Sequence, residues 1–188
     1  MVTSNRIRRS FPAAVWLLAC APACAALTET DARRAQMAVE LLPRVLSVDL
    51  DADKKMLGDR CWLLLIFGRD QAIADTYAAS LRQSVPRLRD RPVVVSTSRV
   101  SELASHNPPP AALLLVEPLG TAAFESARAY ARAHQRLLFS PFAGDVERGA
   151  DAGLYIGPRV LLHFNTAELD HSAIRIEPQV LRISRLHE

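Results

Sequence analysis

Two carboxylates near the C-terminal end, Asp145 and Glu147, are the side chains best placed to do chemistry. They lie within RLLFSPFAGDVERGADAGLYIG (residues 136–157), which holds four of the seven glycines in the chain. Paired carboxylates can share the acid–base work of glycoside hydrolysis. Carboxylates at this spacing are also common in exposed turns, and glycines supply the positive φ angles of such turns. We therefore favour the interpretation that this stretch is a turn, and the second interpretation is a recognition surface.

The same stretch follows a run of strand-forming residues, so it is expected at the carboxyl end of a strand. Open α/β sheets bind their ligands at that end. No Gly-Lys-Ser/Thr follows the glycines, which excludes a phosphate-binding loop of the P-loop type. The candidate partner or ligand loop comprises Ser140, Phe142, Asp145, Glu147, Arg148 and Asn165.

Catalytic and metal-binding patterns elsewhere are weak. His163, Glu168 and His171 are close in sequence, but none of them has the His-x-x-x-His spacing of a helical metal site. Ser140 lacks the Gly-x-Ser-x-Gly elbow of a hydrolase. A hydrolase would require Ser140 or Asp145 within hydrogen-bond reach of a histidine. We expect no enzymatic activity, no metal and no cofactor.

The first 25 residues have the pattern of a secretory signal peptide. Three arginines precede an apolar run, and Ala23-Cys24-Ala25 is a small-x-small cleavage site. The apolar run is shorter than the roughly 20 residues that span a bilayer. The pattern predicts export to the periplasm of residues 26–188 as a single domain that does not span the membrane. The alternative is a lipoprotein anchored through Cys20, because Leu17-Leu18-Ala19-Cys20 has the outline of a lipoprotein box.

Charge and cysteine content change once the signal peptide is removed. The full chain has 23 basic and 20 acidic side chains, and the excess of three lies in the signal segment. The balanced remainder gives no support for nucleic-acid binding, which needs a persistent basic surface, so we expect no nucleic-acid partner. Cys61 is then the remaining cysteine, and its apolar neighbours indicate a buried thiol. The alternative is an intermolecular disulfide, and a homodimer stays open.

Apolar runs of strand length alternate with helical segments through the first two thirds of the mature chain. Thr28 to Asp31 resembles a capping box that starts a helix, which Pro43 is expected to kink or end. The strand-like runs cover residues 61–67, 92–96, 111–117 and 136–140, and the first two are expected to be buried. This alternation predicts an α/β fold with a mostly parallel central sheet flanked by helices.

The last 35 residues depart from this alternation. Leu154–Ile156 and Val160–Phe164 are separated by Gly-Pro-Arg, which predicts an antiparallel hairpin at the C-terminal edge of the sheet. A short helix is expected over residues 165–172, and a last one over Pro178–Leu186. An exposed apolar patch on that last segment would indicate partner binding. A formed apolar pocket at the 140–150 loop would instead indicate a small ligand.

In this order of elements the chain resembles the YfiR-like periplasmic proteins. The resemblance begins with a strand that enters a Gly-Arg-Asp turn, CWLLLIFGRD (Cys61–Asp70), and continues with AALLLVE after a proline-rich loop. It is most specific in the last third, where a glycine-containing hairpin, a strand ending in Asn165 and an amphipathic tail at Val180–Ile183 follow one another. The chain has Arg148–Asp151 where the family has Gly-Gly, and it resembles a divergent member.

The resemblance implies a regulatory, non-enzymatic function. YfiR-like relatives bind the outer part of a membrane-bound diguanylate cyclase and restrain cyclic-di-GMP synthesis, and others are encoded beside sensor kinases. It thus implies a membrane-bound sensor or diguanylate cyclase as the partner. The alternative is a periplasmic small-molecule binding module that feeds a sensor kinase or a transporter.

Overall fold

Four predicted apolar runs supply the middle of an eight-stranded sheet. The computed structural model describes residues 27–188, so the signal peptide and Cys20 lie outside the described residues. The strands are β1 (Cys61–Phe67), β2 (Arg87–Leu88), β3 (Arg91–Arg99), β4 (Ala112–Leu115), β5 (Leu137–Ser140), β6 (Ala152–Ile156), β7 (Val160–Asn165) and β8 (Arg185–His187).

The strand order is β2-β3-β1-β4-β5-β6-β7-β8. The five strands from β3 to β6 in this order are parallel, whereas β2 pairs with β3 and β7 pairs with β6 in antiparallel fashion. The predicted α/β class with a mostly parallel sheet and an antiparallel hairpin is therefore confirmed.

Helices cover both faces of the sheet. They are α1 (Glu29–Ser47), α2 (Gln71–Ser84), α3 (Thr121–Ala133), α4 (Thr166–His171) and α5 (Pro178–Ile183), with two 3₁₀ turns at Ala52–Lys55 and Val100–Ser105. In β1, Leu63 and Leu65 belong to the core formed with α1 and α2, whereas Leu64 and Ile66 belong to the core formed with α3. Burial on both faces explains why β1 is apolar throughout.

Helix α1 starts where the sequence predicts and does not end at Pro43. The Thr28 hydroxyl accepts a hydrogen bond from the Asp31 N–H at 3.1 Å, which caps the helix. The helix then continues through Pro43 to Ser47. Leu42 and Val45 on either side of the proline are fully buried. Their packing offsets the hydrogen bond that a proline removes.

Two predicted elements differ from the structure. The last helix ends at Ile183, and the following residues form β8, which pairs in parallel with β7. The hairpin therefore lies one strand inside the edge, because β8 satisfies the backbone groups that β7 would otherwise expose. The run at 92–96 extends to residues 91–99 and is only half-buried, since its outer neighbour β2 has two residues. No helix within residues 27–188 is long and apolar enough to cross a membrane.

Candidate functional site

The predicted loop is organised around the Asp145 carboxylate. Its Oδ2 accepts a hydrogen bond from the Ser140 hydroxyl at 2.6 Å, and its Oδ1 accepts one from Arg148 Nη1 at 2.8 Å. The Arg148 guanidinium also lies over the Phe124 ring, 4.2 Å from the ring centre. Burial raises the pKa of Asp145, and the Ser140 and Arg148 contacts act in the opposite direction. Both oxygens of this buried carboxylate are therefore engaged within the loop.

Asn165 anchors the same loop from the far side. Its Nδ2 donates to the Val146 carbonyl at 2.8 Å, and its Oδ1 accepts from the Glu168 N–H at 3.0 Å, so it also caps α4. Phe142 is buried in the α3-side core, and its N–H donates to the Ser140 hydroxyl at 3.4 Å. These contacts hold the turn together and leave the side chains few free polar atoms.

The structure thus brings five of the six predicted residues into one hydrogen-bonded loop and leaves Glu147 exposed. The crevice beside the loop is about 190 Å³ and is lined in part by Phe142, Glu147 and His163. Small-molecule sites usually range from roughly 300 to 1,000 Å³. The formed apolar pocket that would indicate a small ligand at this loop is not present among residues 27–188.

The structure also shows the contacts of the residues considered for a hydrolase and for a metal site. Within residues 27–188 no histidine hydrogen-bonds to Ser140 or Asp145; the Ser140 hydroxyl donates to Asp145 instead. The Glu168 carboxylate binds Arg128 at 3.0 Å and Arg132 at 2.7 Å. The part of the chain that the structure describes holds no group of three or more His, Cys, Asp or Glu side chains that could bind a metal ion.

The switch point of the sheet is filled by a carboxylate that the sequence analysis did not single out. The switch point lies between the carboxyl ends of β1 and β4, where doubly wound folds bind their ligands. Buried Glu117 accepts hydrogen bonds there from the backbone N–H groups of Gly68 and Arg69 at 2.5 Å and of Asp70 at 3.4 Å. These N–H groups precede α2 and form the kind of cradle that binds phosphate. The protein's own carboxylate takes that place.

A second missed carboxylate, Asp151, lies at the amino end of β6. It is 2% exposed and accepts hydrogen bonds from the Leu138 N–H and the Ser172 hydroxyl, both at 2.8 Å. Burial raises the pKa of Asp151 to about 7, with a further contribution from the negative charge of Glu168. Its position between a glycine-rich turn and a strand did not predict that this carboxylate would be buried.

The amino edge of the sheet carries an open cleft of about 560 Å³. Its walls come from the segment after α1, the turn between α3 and β5, and the end of α4 with the segment that follows it. The lining residues include the charged side chains of Asp51, Lys54, Lys55, Arg136, Asp170 and Arg175. Lys55 also forms a buried ion pair with Asp49 at 2.5 Å.

The C-terminal side of the sheet exposes four large apolar side chains, which we call the apolar edge surface. They are Ile156 (39% exposed), Val160 (45%), Ile183 (75%) and Leu186 (43%). In the strand register Ile156 pairs with Val160 and Leu186 pairs with Phe164, so three of them share the face of the buried Phe164. The apolar face of β6–β8 therefore continues past the part that the core covers.

A groove of about 660 Å³ borders this surface. It is formed by Ile156 and Val160 at the tip of the β6–β7 hairpin and by Arg33, Gln36 and Met37 on α1. The groove is mainly apolar on the hairpin side and polar on the helix side. The sequence predicted the hairpin and the tail, and it gave no indication that α1 lies beside the hairpin tip.

Comparison with known proteins shows the fold alone. No protein-family model matches the sequence, and no curated protein matches it. Among solved structures, the chain is similar to an ABC domain in complex with L-Trp from Streptococcus pneumonia (TM-score 0.53, 13% identity) and to a conserved domain protein from Vibrio cholerae (TM-score 0.55, 16% identity). In each case 82% of this chain is matched to 60% of the other, so it spans less than two thirds of their length.

Proposed function

We propose that this protein is an exported regulator that works by binding, and that the apolar edge surface is where it contacts its partner. In line with the YfiR-like resemblance, the partner is a membrane-bound sensor or diguanylate cyclase, restrained from the periplasmic side so that cyclic-di-GMP synthesis falls. The observation that carries this proposal is the exposure of Ile183 and Leu186 in the C-terminal segment.

Ile156, Val160 and Leu186 lie on one face of β6–β8, and Ile183 is exposed on α5 just before β8, so together they support a docking role. Single exposed apolar residues are ordinary, but a group that extends a buried face is typical of a protein contact site. Ile183 lies on α5, which has no buried residue, and Leu186 lies on the outermost strand. A partner that covers this surface would remove apolar area from water and stabilise the complex.

The 140–151 loop has a smaller part in this proposal. Its buried carboxylate and amide hydrogen-bond within the protein, so they hold the shape of the loop. Glu147 is the exposed carboxylate of the pair and is the one that a partner could reach. It lies on the crevice that also includes Tyr155 and Ile156, next to the apolar edge surface.

The test is capture of a membrane partner by the purified mature chain. Residues 26–188 are used as bait for the solubilised inner-membrane proteins of the source organism, and captured proteins are identified by mass spectrometry. The Ile183→Glu/Leu186→Glu bait should lose a sensor or cyclase that the wild-type bait recovers. Both side chains are exposed, so the variant should keep its fold, which circular dichroism and thermal unfolding check.

Val94→Glu is the matched control. Val94 is 40% exposed on β3, at the other side of the sheet, so the same apolar-to-charged change falls outside the proposed surface. This bait should recover the partner as the wild type does. Equal recovery by the wild type and the Ile183→Glu/Leu186→Glu bait would exclude the apolar edge surface. Recovery of no sensor or cyclase by the wild type would exclude the proposed function.

A small-molecule binding module is the second candidate. The cleft at the amino edge favours it, because its volume of about 560 Å³ falls in the range of ligand sites. One structural neighbour is described as an ABC domain in complex with L-Trp, and a fold shared at 13% identity does not transfer that ligand. A small molecule retained by the purified protein and identified by mass spectrometry would favour this candidate.

A further inference from the structure

The cleft at the amino edge of the sheet contains more positive than negative side chains. Three separate segments contribute its charges, so they converge through the fold and not through sequence proximity. Four cationic side chains, Lys54, Lys55, Arg136 and Arg175, face two carboxylates, Asp51 and Asp170.

Three of these cations already have a partner. Lys54 binds Asp51 at 2.7 Å, and Arg175 binds the same carboxylate through two nitrogens at 2.6 and 2.9 Å. These two contacts hold the pKa of Asp51 well below its usual value. Lys55 is paired with the buried Asp49. Asp170 is exposed to water, where its charge is screened.

Arg136 is different from the other three. Its side chain has no hydrogen bond or ion pair with any of residues 27–188, and its Nε is buried without an acceptor. Partial burial lowers its pKa, and the negative charge of Asp49, which is already paired with Lys55, only partly opposes this shift. A buried polar atom without a partner is uncommon and destabilising in a folded protein.

The backbone fixes Arg136 at this position. Its N–H donates to the Ala131 carbonyl at 2.8 Å, which closes the end of α3. Gln135 before it has a φ of 54°, a left-handed conformation that turns the chain from α3 into β5. The turn therefore fixes the backbone from which the guanidinium reaches the cleft.

We propose that this cleft binds a small molecule through its carboxylate or phosphate group, with Arg136 as the main ligand and Lys54 in support. A guanidinium presents paired N–H groups that match the two oxygens of such an anion. The cleft shares no residue with the apolar edge surface. The proposal is therefore independent of the partner and would stand if that surface bound nothing.

The experiment follows the Arg136 side chain directly. The mature protein is labelled with ¹⁵N-arginine, and its Nε–Hε signals are recorded while inorganic phosphate or succinate is added at constant ionic strength and pH 7. We expect a saturable shift of the Arg136 signal, and the titrant that saturates at lower concentration identifies phosphate or carboxylate as the preferred group. Arg136→Gln should weaken binding about tenfold or more, because a charge-assisted hydrogen bond is lost.

Arg69→Gln is the matched control. Arg69 is exposed at the carboxyl edge, so this variant removes the same charge away from the cleft, and it should bind as the wild type does. Lys54→Gln, which changes an exposed side chain, should weaken binding by a few-fold and provides a second variant if Arg136→Gln does not fold. Partner capture by Arg136→Gln should equal that of the wild type.

Three results would overturn the proposal. The first is a wild-type Arg136 signal that does not saturate with either anion. The second is unchanged affinity in a folded Arg136→Gln or, where that variant does not fold, in Lys54→Gln. The third is an equal loss of affinity in Arg69→Gln, which would mean that the anions respond to overall charge.

Discussion

The two ends of the parallel strands differ in how they accommodate buried charge. At the carboxyl end, Glu117 is surrounded by backbone N–H groups, and Asp145 by a hydroxyl and a guanidinium. At the amino end, the buried Nε of Arg136 has no acceptor within residues 27–188, and the two neutral donors of Asp151 do not offset the burial that raises its pKa to about 7. Buried charges are stable only with partners. The carboxyl end, where ligands usually bind in this fold class, is therefore closed here, and the amino end keeps the capacity to bind.

The largest effect is expected from Glu117→Ala. Three backbone N–H groups would lose a charged acceptor, and each such hydrogen bond contributes on the order of 1.5–3 kcal/mol, with less than full additivity. We expect the free energy of unfolding to fall by about 3 kcal/mol, measured by urea denaturation. Glu102→Ala, at an exposed glutamate, should change it by less than about 0.5 kcal/mol. Equal stability of the two variants would show that the carboxyl end is not held closed by Glu117.

The architecture was predictable from the sequence because it follows from local patterns. Continuous apolar runs such as Cys61–Phe67 indicate strands covered on both sides, and intervening helical segments indicate parallel pairing. The Gly-Pro-Arg spacing predicted the hairpin, and Asn165 marked the start of α4. The strand β8 was not predictable in this way, because its three residues are set by pairing with β7.

The candidate site was only partly predictable. Spacing placed Ser140 and Asp145 in one loop, but it did not indicate that they hydrogen-bond to each other and bury the carboxylate. Glu117 and Gly68 are 49 residues apart, and nothing in either segment indicates their contact. Arg136 reads as the first residue of a strand, and its lack of a partner depends on three segments that meet only in the fold.

A smaller effect with a distinct pH dependence is expected at Asp151. Its folded pKa of about 7 lies above the ordinary value of about 3.9, so the folded protein binds the proton more tightly than the unfolded chain. Stability from this group is therefore complete below about pH 4 and is lost as the pH rises through 7. Between pH 5 and pH 8 the wild type should lose roughly 2 kcal/mol through Asp151.

Asp151→Asn separates this contribution from those of other groups. An amide resembles the neutral acid, so the variant should match the wild type near pH 5 and exceed its stability near pH 8. The pKa of Asp145 is raised and that of His163 is lowered, but both groups are present in both proteins and cancel in the difference. Urea denaturation at several pH values measures this difference in the free energy of unfolding between the two proteins. Parallel pH profiles would show that Asp151 is not buried as an acid, and the contrast between the two ends would weaken.

The smallest effects distinguish the two carboxylates of the 140–151 loop. Asp145→Ala removes the acceptor of a buried hydroxyl and of Arg148, so the free energy of unfolding should fall by about 1.5 kcal/mol. Glu147→Ala, at an exposed site, should change it by less than about 0.5 kcal/mol. Thermal unfolding and partner capture are measured on the same two variants. If Glu147→Ala keeps its stability and loses the partner, the loop takes part in recognition as well as in folding. If Asp145→Ala is as stable as the wild type, its hydrogen bonds do not hold the loop, and the carboxyl end is less closed than its contacts indicate.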